Sequence, residues 1–293
     1  MEAGVPRCSA ISARDEPLAG TAAQVTGWVC VEFPGGWGRD VLDGSALGTD
    51  LAEALRDRAD AAGVRIMFIR RPGRSTLSGG TAERRAHTVL LAQSHPDRSW
   101  CERLEIPDPA ALLDLDFSLV GGDAPGIGTR VDGPIALVCA HGKRDQCCAV
   151  FGRPVAAALV SVFGTDVWEC SHTGGHRFAP SMILLPTGYT YGRLGEAESA
   201  AAMHAARRGA VQFEGLRGRS VWDPRGQVAE MAVRNQVEAG VNELSVDGDT
   251  VTHADGRRWS VDIEETELPP RPASCGAAPK PVKSFAARKV RTL

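Results

Sequence analysis

The chain alternates short apolar runs with polar and glycine-rich breaks, and the spacing of these runs sets out its elements. Residues 28–33 (WVCVEF) are apolar and rich in β-forming side chains, which predicts a buried strand broken by Pro34-Gly35-Gly36. Leu47, Leu51, Ala54, Leu55 and Ala59 recur at near-helical spacing up to Gly63, so a helix is expected over 47–62. Strands follow at 64–70, 87–93 and 100–104, with a Gly/Ser/Arg loop over 71–83, and a helix can begin in 107–115 with Pro109 in its first turn. The segment 121–128 (GGDAPGIG) reads as a linker. Beyond it come a strand at 135–139, a helix at 149–163 stopped by Gly164, strands at 166–170, 182–185 and 190–194, and an alanine-rich helix at 196–208.

The order β-α-β-β-β-α therefore occurs twice, a likeness of pattern rather than of residues. A further helix over 223–239 opens at Pro224, and Asp247-Gly248 and Asp255-Gly256 mark the turns of a hairpin. The Pro- and Lys/Arg-rich tail is expected to be extended over the surface or partly disordered. The expected division is 1–120, an N-terminal half without metal donors; 131–210, a second half that carries them; and 211–293, a C-terminal helix, hairpin and tail.

Composition narrows the class. With 293 residues, 43% hydrophobic and 24% charged, the chain can bury a sizeable core as an ordinary globular protein. A net charge of -3 gives no basic excess for nucleic acid. The N-terminus lacks the apolar core of a secretory signal, and no apolar run is expected to approach the roughly 20 residues that span a bilayer. A cytoplasmic protein with no membrane partner is expected. In that reducing setting the eight cysteines do not suggest a disulfide framework, and Cys30 and Cys101 read as small buried side chains.

Candidate chemistry concentrates between Cys139 and Arg193, which holds four of the eight cysteines and three of the seven histidines. A strand ends at Cys139, and Cys147 and Cys148 stand at the start of the next helix, where exposed N–H groups favour a thiolate. The following strand ends at Cys170, and His172 and His176 project from the loop after it. Both loops leave one edge of a sheet, where ligands collect in α/β folds. The eight residues between Cys139 and Cys148 make a wider loop than the tight turn of a zinc knuckle, and this suits a bulkier centre such as a binuclear iron–sulfur cluster. Gly174 and Gly175 let the backbone between the two His approach closely. No Cys-x-x-Cys pair is present for dithiol chemistry. Cys170 is expected to be buried, and Cys275 in the tail either covers the site or is an exposed thiol. His141 could contact the site, Arg144 and Asp145 could pair, Trp37 offers an exposed contact, and Lys143, Arg144, Arg177 and Arg193 could form a basic collar.

The segments CAHGKRDQCCA and SHTGGHRFAPSMILLPTGYTYGR, with CSAISARDEPLAGTA, VEFPGGWGRD and PASCG elsewhere, resemble the sucrase/ferredoxin-like family. The resemblance implies two thioredoxin-like β-α-β-β-β-α halves, of which the second is a ferredoxin domain with one [2Fe-2S] cluster. The His-x-Gly-Gly-His variant implies ligation by Cys139, Cys148, His172 and His176, with Cys147 the alternative to Cys148. Electron transfer with an unidentified redox partner protein is the function implied. A zinc-stabilised scaffold using the same donors, and an oxidoreductase reducing a small oxidant, are the alternatives. The sucrase designation finds no support, since no pair of carboxylates can be placed across a glycosidic bond.

Charge counting gives this ligand set a consequence. Two neutral imidazoles in place of two thiolates make the centre less negative and easier to reduce, in the range of about -150 to +300 mV rather than about -400 mV. The free ring N–H of each ligand is lost more readily when the iron is ferric, which stabilises the oxidised state. The reduction potential should therefore fall as pH rises, and a redox titration from about pH 6 to 10 checks this; a flat potential would count against the His ligands.

Overall fold

The computed structural model describes residues 7–73 and 86–293. In chain order its elements are α1 (Cys8–Ser12), β1 (Gly27–Glu32), α2 (Thr49–Ala62), β2 (Val64–Arg70), β3 (His87–Gln93), β4 (Trp100–Ile106), β5 (Thr129–Arg130), β6 (Ile135–Cys139), α3 (Gln146–Phe163), β7 (Val167–Cys170), β8 (Ser181–Leu185), β9 (Tyr189–Gly192), α4 (Glu196–Arg207), β10 (Leu216–Arg219) and α5 (Pro224–Arg234). The chain ends in β11 (Leu244–Asp247), β12 (Thr250–His253), β13 (Arg258–Pro272) and β14 (Pro279–Thr292).

Among the described residues, β1 to β10 build one mixed sheet in the order β10-β9-β8-β6-β7-β2-β1-β3-β4-β5. Two blocks within it share a topology. In β2-β1-β3-β4 the first two strands are parallel and the others antiparallel, and β7-β6-β8-β9 repeats this. The blocks join through β2 and β7, antiparallel, with Ile69 opposite Cys170. The chain is thus of α/β class, and one continuous sheet runs through both halves.

Alternation along each strand assigns its two faces. Val29 and Val31 pack with α2 residue Leu55 on one outer face, while Ala136 and Val138 pack with Val155, Ala156 and Leu159 of α3 on the other. Trp28, Cys30 and Met67 from the first half meet Leu137, Cys139, Trp168 and Ile183 from the second, so the sheet curls its inner faces onto one core. Strands covered on both sides read as continuous apolar runs, which is why they were legible without strict alternation.

Several expectations are corrected. The segment 107–115 is not an α-helix but a 3-10 turn, Pro109–Asp114, followed by a second at Phe117–Gly121. Asp108 and Asp116 each accept the N–H two residues on, and these local side-chain bonds start two short turns instead of one long helix. The stretch 121–128 is held down: the Glu102 carboxylate accepts the N–H groups of Gly126, Ile127 and Gly128. The strand expected at 190–194 ends at Gly192, and Arg193 follows with φ +59°. α5 stops at Arg234, whose guanidinium donates to the Ala239 and Gly240 carbonyls.

The tail is extended and largely exposed, one of the two forms expected, and it is paired as strands rather than disordered. β13 and β14 form a long antiparallel pair in a four-stranded sheet, β11-β12-β13-β14, packed on α5 through Val228, Val233, Trp259 and Val261. Its prolines Pro269 and Pro270 fall in a register shift between Leu268 and Arg271, where no ladder N–H is required. A run of membrane-spanning length also exists, contrary to expectation: Gln146–Asp166, comprising α3 and the turn after it, has mean hydropathy 1.7. One face of it packs into the core through Gly152, Val155, Ala156, Leu159 and Phe163, while Val150, Phe151 and Val162 on the helix are exposed. Most of the loop expected at 71–83 lies outside the described residues.

Helix α3 crosses β6 at Gly152, where a Cβ atom would run into the Cys139 carbonyl. Gly152→Ala should destabilise the protein by about 1–3 kcal/mol, because backbone on both sides must shift. A lowered denaturant midpoint at unchanged m-value checks this.

Candidate metal centre

β6 delivers Cys139 to the inner face of the sheet, and β7 runs parallel beside it with Cys170 as the pairing neighbour of Cys139. The loop after β6 ends at Asp145, whose Oδ1 accepts the Cys147 N–H at 2.8 Å and caps α3. Successive residues on a helix diverge by about 100°. Cys147 and Cys148 accordingly face different ways. Cys148 points at Cys139 and His172, and the three ligating atoms lie within 4.8 Å of one another. Its Sγ is 3.6 Å from His176 Nδ1. Cys147 turns toward Cys8 and Cys275 instead.

The two His stand on the loop after β7. Their rings stack with centroids 3.8 Å apart and planes 14° apart. Gly174 and Gly175 have φ of +93° and +75°, and a Cβ on Gly175 would strike Arg217 and Phe178, so this loop needs glycine for both reasons. Cys139, Cys148 and His176 are buried, and His172 is partly exposed. His172 and His141 also line a cavity of about 440 Å³ with Asp40, Arg65 and Ile66 in its walls.

Electrostatics suits ligation. The hydrogen bond from Cys148, which outweighs burial, together with His172, holds the Cys139 thiol well below its usual range, and the same bond raises Cys148. Burial, then the neighbouring His172, lowers His176 to about 4, so its imidazole is neutral with a lone pair free. Burial raises Cys170, which packs in the inner core with Cys30. Cys139, Cys148 and His172 could hold a metal ion, and His176 adjoins that group through its 3.6 Å contact with Cys148.

The surroundings differ from expectation in detail. His141 contacts the loop rather than the thiols: its Nδ1 accepts the His172 N–H at 3.2 Å, and its Nε2 donates to the Gly38 carbonyl at 2.8 Å. Trp37 is buried, donates to the Phe33 carbonyl and meets the His141 ring edge-on. Arg144 faces Asp40, not Asp145. Arg177 and Arg193 turn inward, to Glu16 at 2.8 Å and to Ser12 and the Glu16 carbonyl, which leaves Lys143 and Arg144 of the expected collar at the surface.

A family model described as sucrase/ferredoxin-like matches residues 18–218. The chain belongs to the sucrase/ferredoxin-like family. No curated protein and no solved structure matches it. The family segment contains the whole Cys139–His176 centre and stops short of Cys8 and Cys275.

Periodicity did not reveal Arg217, on β10. Its guanidinium is fully buried and donates to the Gly174 carbonyl and Ser181 Oγ, each at 3.0 Å, and to Thr21. It pins the His loop to the N-terminal arm. Arg217→Met should leave the Gly174 and Thr21 carbonyls without this donor, at about 1–3 kcal/mol for each one left buried and unpaired. A lowered unfolding midpoint and faster stripping of bound metal by a chelator would together report the loosened loop.

Proposed function

We propose that Cys139, Cys148, His172 and His176 hold one [2Fe-2S] cluster and that the protein is a one-electron carrier. The carrying observation is the convergence of two thiols and two imidazoles: Cys139, Cys148 and His172 lie within 4.8 Å of one another, Cys148 Sγ is 3.6 Å from His176 Nδ1, and the two imidazole rings stack. A centre with two iron atoms takes that set, one pair on each iron. A bound cluster of this kind supplies reversible one-electron transfer. Asp145 fixes the helix turn that orients Cys148, and Arg65, donating to the His172 carbonyl at 2.6 Å, fixes the His loop from the other half. Burial of both thiols and His176 excludes water, and the partly exposed His172 is the edge through which a redox partner protein would exchange electrons. The repeated strand order supports reading both halves as thioredoxin-like, the first contributing walls and Arg65 rather than donors. A cytoplasmic setting belongs to the same reading.

A second reading has one specific observation behind it. The cavity of about 440 Å³ reaches His172 and could admit a small oxidant to be reduced directly.

Freshly purified protein should be red-brown, with visible absorption and iron and sulfide in equal amounts. A colourless protein with zinc and no iron at these donors would sink the proposal and favour a zinc-stabilised scaffold. Cys148→Ser should abolish the colour, whereas Cys147→Ser should keep it. Replacing both His172 and His176 by Cys should keep the colour and lower the potential.

A further inference from the structure

The residue left over at the start of α3 leads to a second centre. Cys147 Sγ lies 3.3 Å from Cys275 Sγ and 3.7 Å from Cys8 Sγ, and Cys275 and Cys8 are 3.6 Å apart. Asp145 Oδ2 closes the group, 3.7 Å from Cys8 Sγ. Three sulfurs and a carboxylate oxygen thus make a compact tetrad of candidate ligands. Its members come from the N-terminal arm, the α3 cap and the loop between β13 and β14. Cys8, Asp145 and Cys147 are buried, and Cys275 is partly so.

The spacing matches a single tetrahedral ion. Thiolates bound to zinc at about 2.3 Å stand about 3.8 Å apart, and a thiolate and a carboxylate oxygen about 3.5 Å apart. The four separations, 3.3–3.7 Å, fall within about 0.5 Å of those edges. The second contacts are in place as well. Asp145 is oriented by the Cys147 N–H on Oδ1 and by the Cys275 N–H on Oδ2 at 2.7 Å, and Ser9 Oγ lies 3.3 Å from Cys147 Sγ. A dithiol switch would need two cysteines. Here three sulfurs lie within 3.3–3.7 Å of one another, and the buried Asp145 carboxylate faces them.

We infer that Cys8, Asp145, Cys147 and Cys275 form a structural zinc site that fastens the N-terminal arm and the C-terminal hairpin to the first turn of α3. A sulfur-rich closed set suits zinc over hard cations. Binding displaces the thiol protons to solvent and leaves no open position, so the ion clamps and does not catalyse. The arm that it holds carries Glu16 and Ser12, the partners of Arg177 and Arg193 beside the His loop. The inference does not rest on the iron proposal, because zinc and iron are counted separately.

The test uses the full chain purified with zinc supplied. The expected result is one zinc ion per chain, retained in Cys139→Ser and lost in both Cys8→Ser and Cys275→Ser. Zinc-edge X-ray absorption of the unaltered protein should show three sulfur ligands and one oxygen, which decides the matter even where a variant does not fold. Absence of zinc from both the purified and the zinc-reconstituted reduced protein would overturn the inference. So would zinc lost in Cys139→Ser but kept in Cys275→Ser, or a disulfide among Cys8, Cys147 and Cys275 in peptide mapping of the freshly alkylated protein.

Discussion

The Asp145 cap is the constraint on which the rest of the molecule's chemistry depends. One carboxylate ends the loop from β6, starts α3 and holds the Cys275 backbone. With that turn set, helix geometry alone separates two adjacent thiols, sending Cys148 to the inner core and Cys147 to the outer seam. An unfixed start to α3 would let the register slip by one residue and turn Cys147 into the inward direction that Cys148 now takes. Gly152, two turns on, fixes the depth at which the helix sits on β6, and so the distance between the thiols of Cys139 and Cys148.

Around this turn the protein spends buried charge on connecting segments distant in sequence. Arg217 ties the His loop to the arm, and Arg219, also fully buried, donates to the Ser94 and Val241 carbonyls and to Asn242. These contacts bind first half, second half and C-terminal unit together. A buried guanidinium is stable only when its donors are met, and here most meet backbone oxygens rather than carboxylates. The connections are therefore geometric as well as electrostatic: a carbonyl must be in the right place, so each arginine specifies one arrangement of the loops that it joins.

Much of this could be read from local pattern. The apolar runs of β1, β2, β3 and β6 announced themselves, and strand ends at Cys139 and Cys170 placed the donors on neighbouring loops. What local pattern lacks is pairing. Nothing at Ile69 or Cys170 signals that β2 and β7 join two blocks into one sheet, because both strands look alike whichever neighbour they take. The β13–β14 pair was hidden by its prolines and lysines, residues that are poor in central strands but compatible with an exposed hairpin carrying a register shift. Cys8 and Cys275 could not be linked at all. Metal-ligand spacing is informative within a loop, and these residues are 267 positions apart.

That separation bears on how the two centres relate. The family segment runs from 18 to 218 and holds the large sheet with the Cys139–His176 donors, while the tetrad draws one ligand from before it and one from after. Glu16 and Ser12 reach Arg177 and Arg193 only while the arm lies against the His loop, and α1 is too short to hold itself there. Arg271 on β13 adds a contact to Asp15, so the arm lies between the hairpin and the site. A zinc ion at Cys8 and Cys275 would close this sandwich at the end nearest α3. Holding the arm down keeps Arg177, Arg193 and Arg217 about Phe178, which shares a 3-10 turn with His176. The outer site would thus set how rigidly the inner one is walled, with the single helical turn bearing Cys147 and Cys148 as the part common to both.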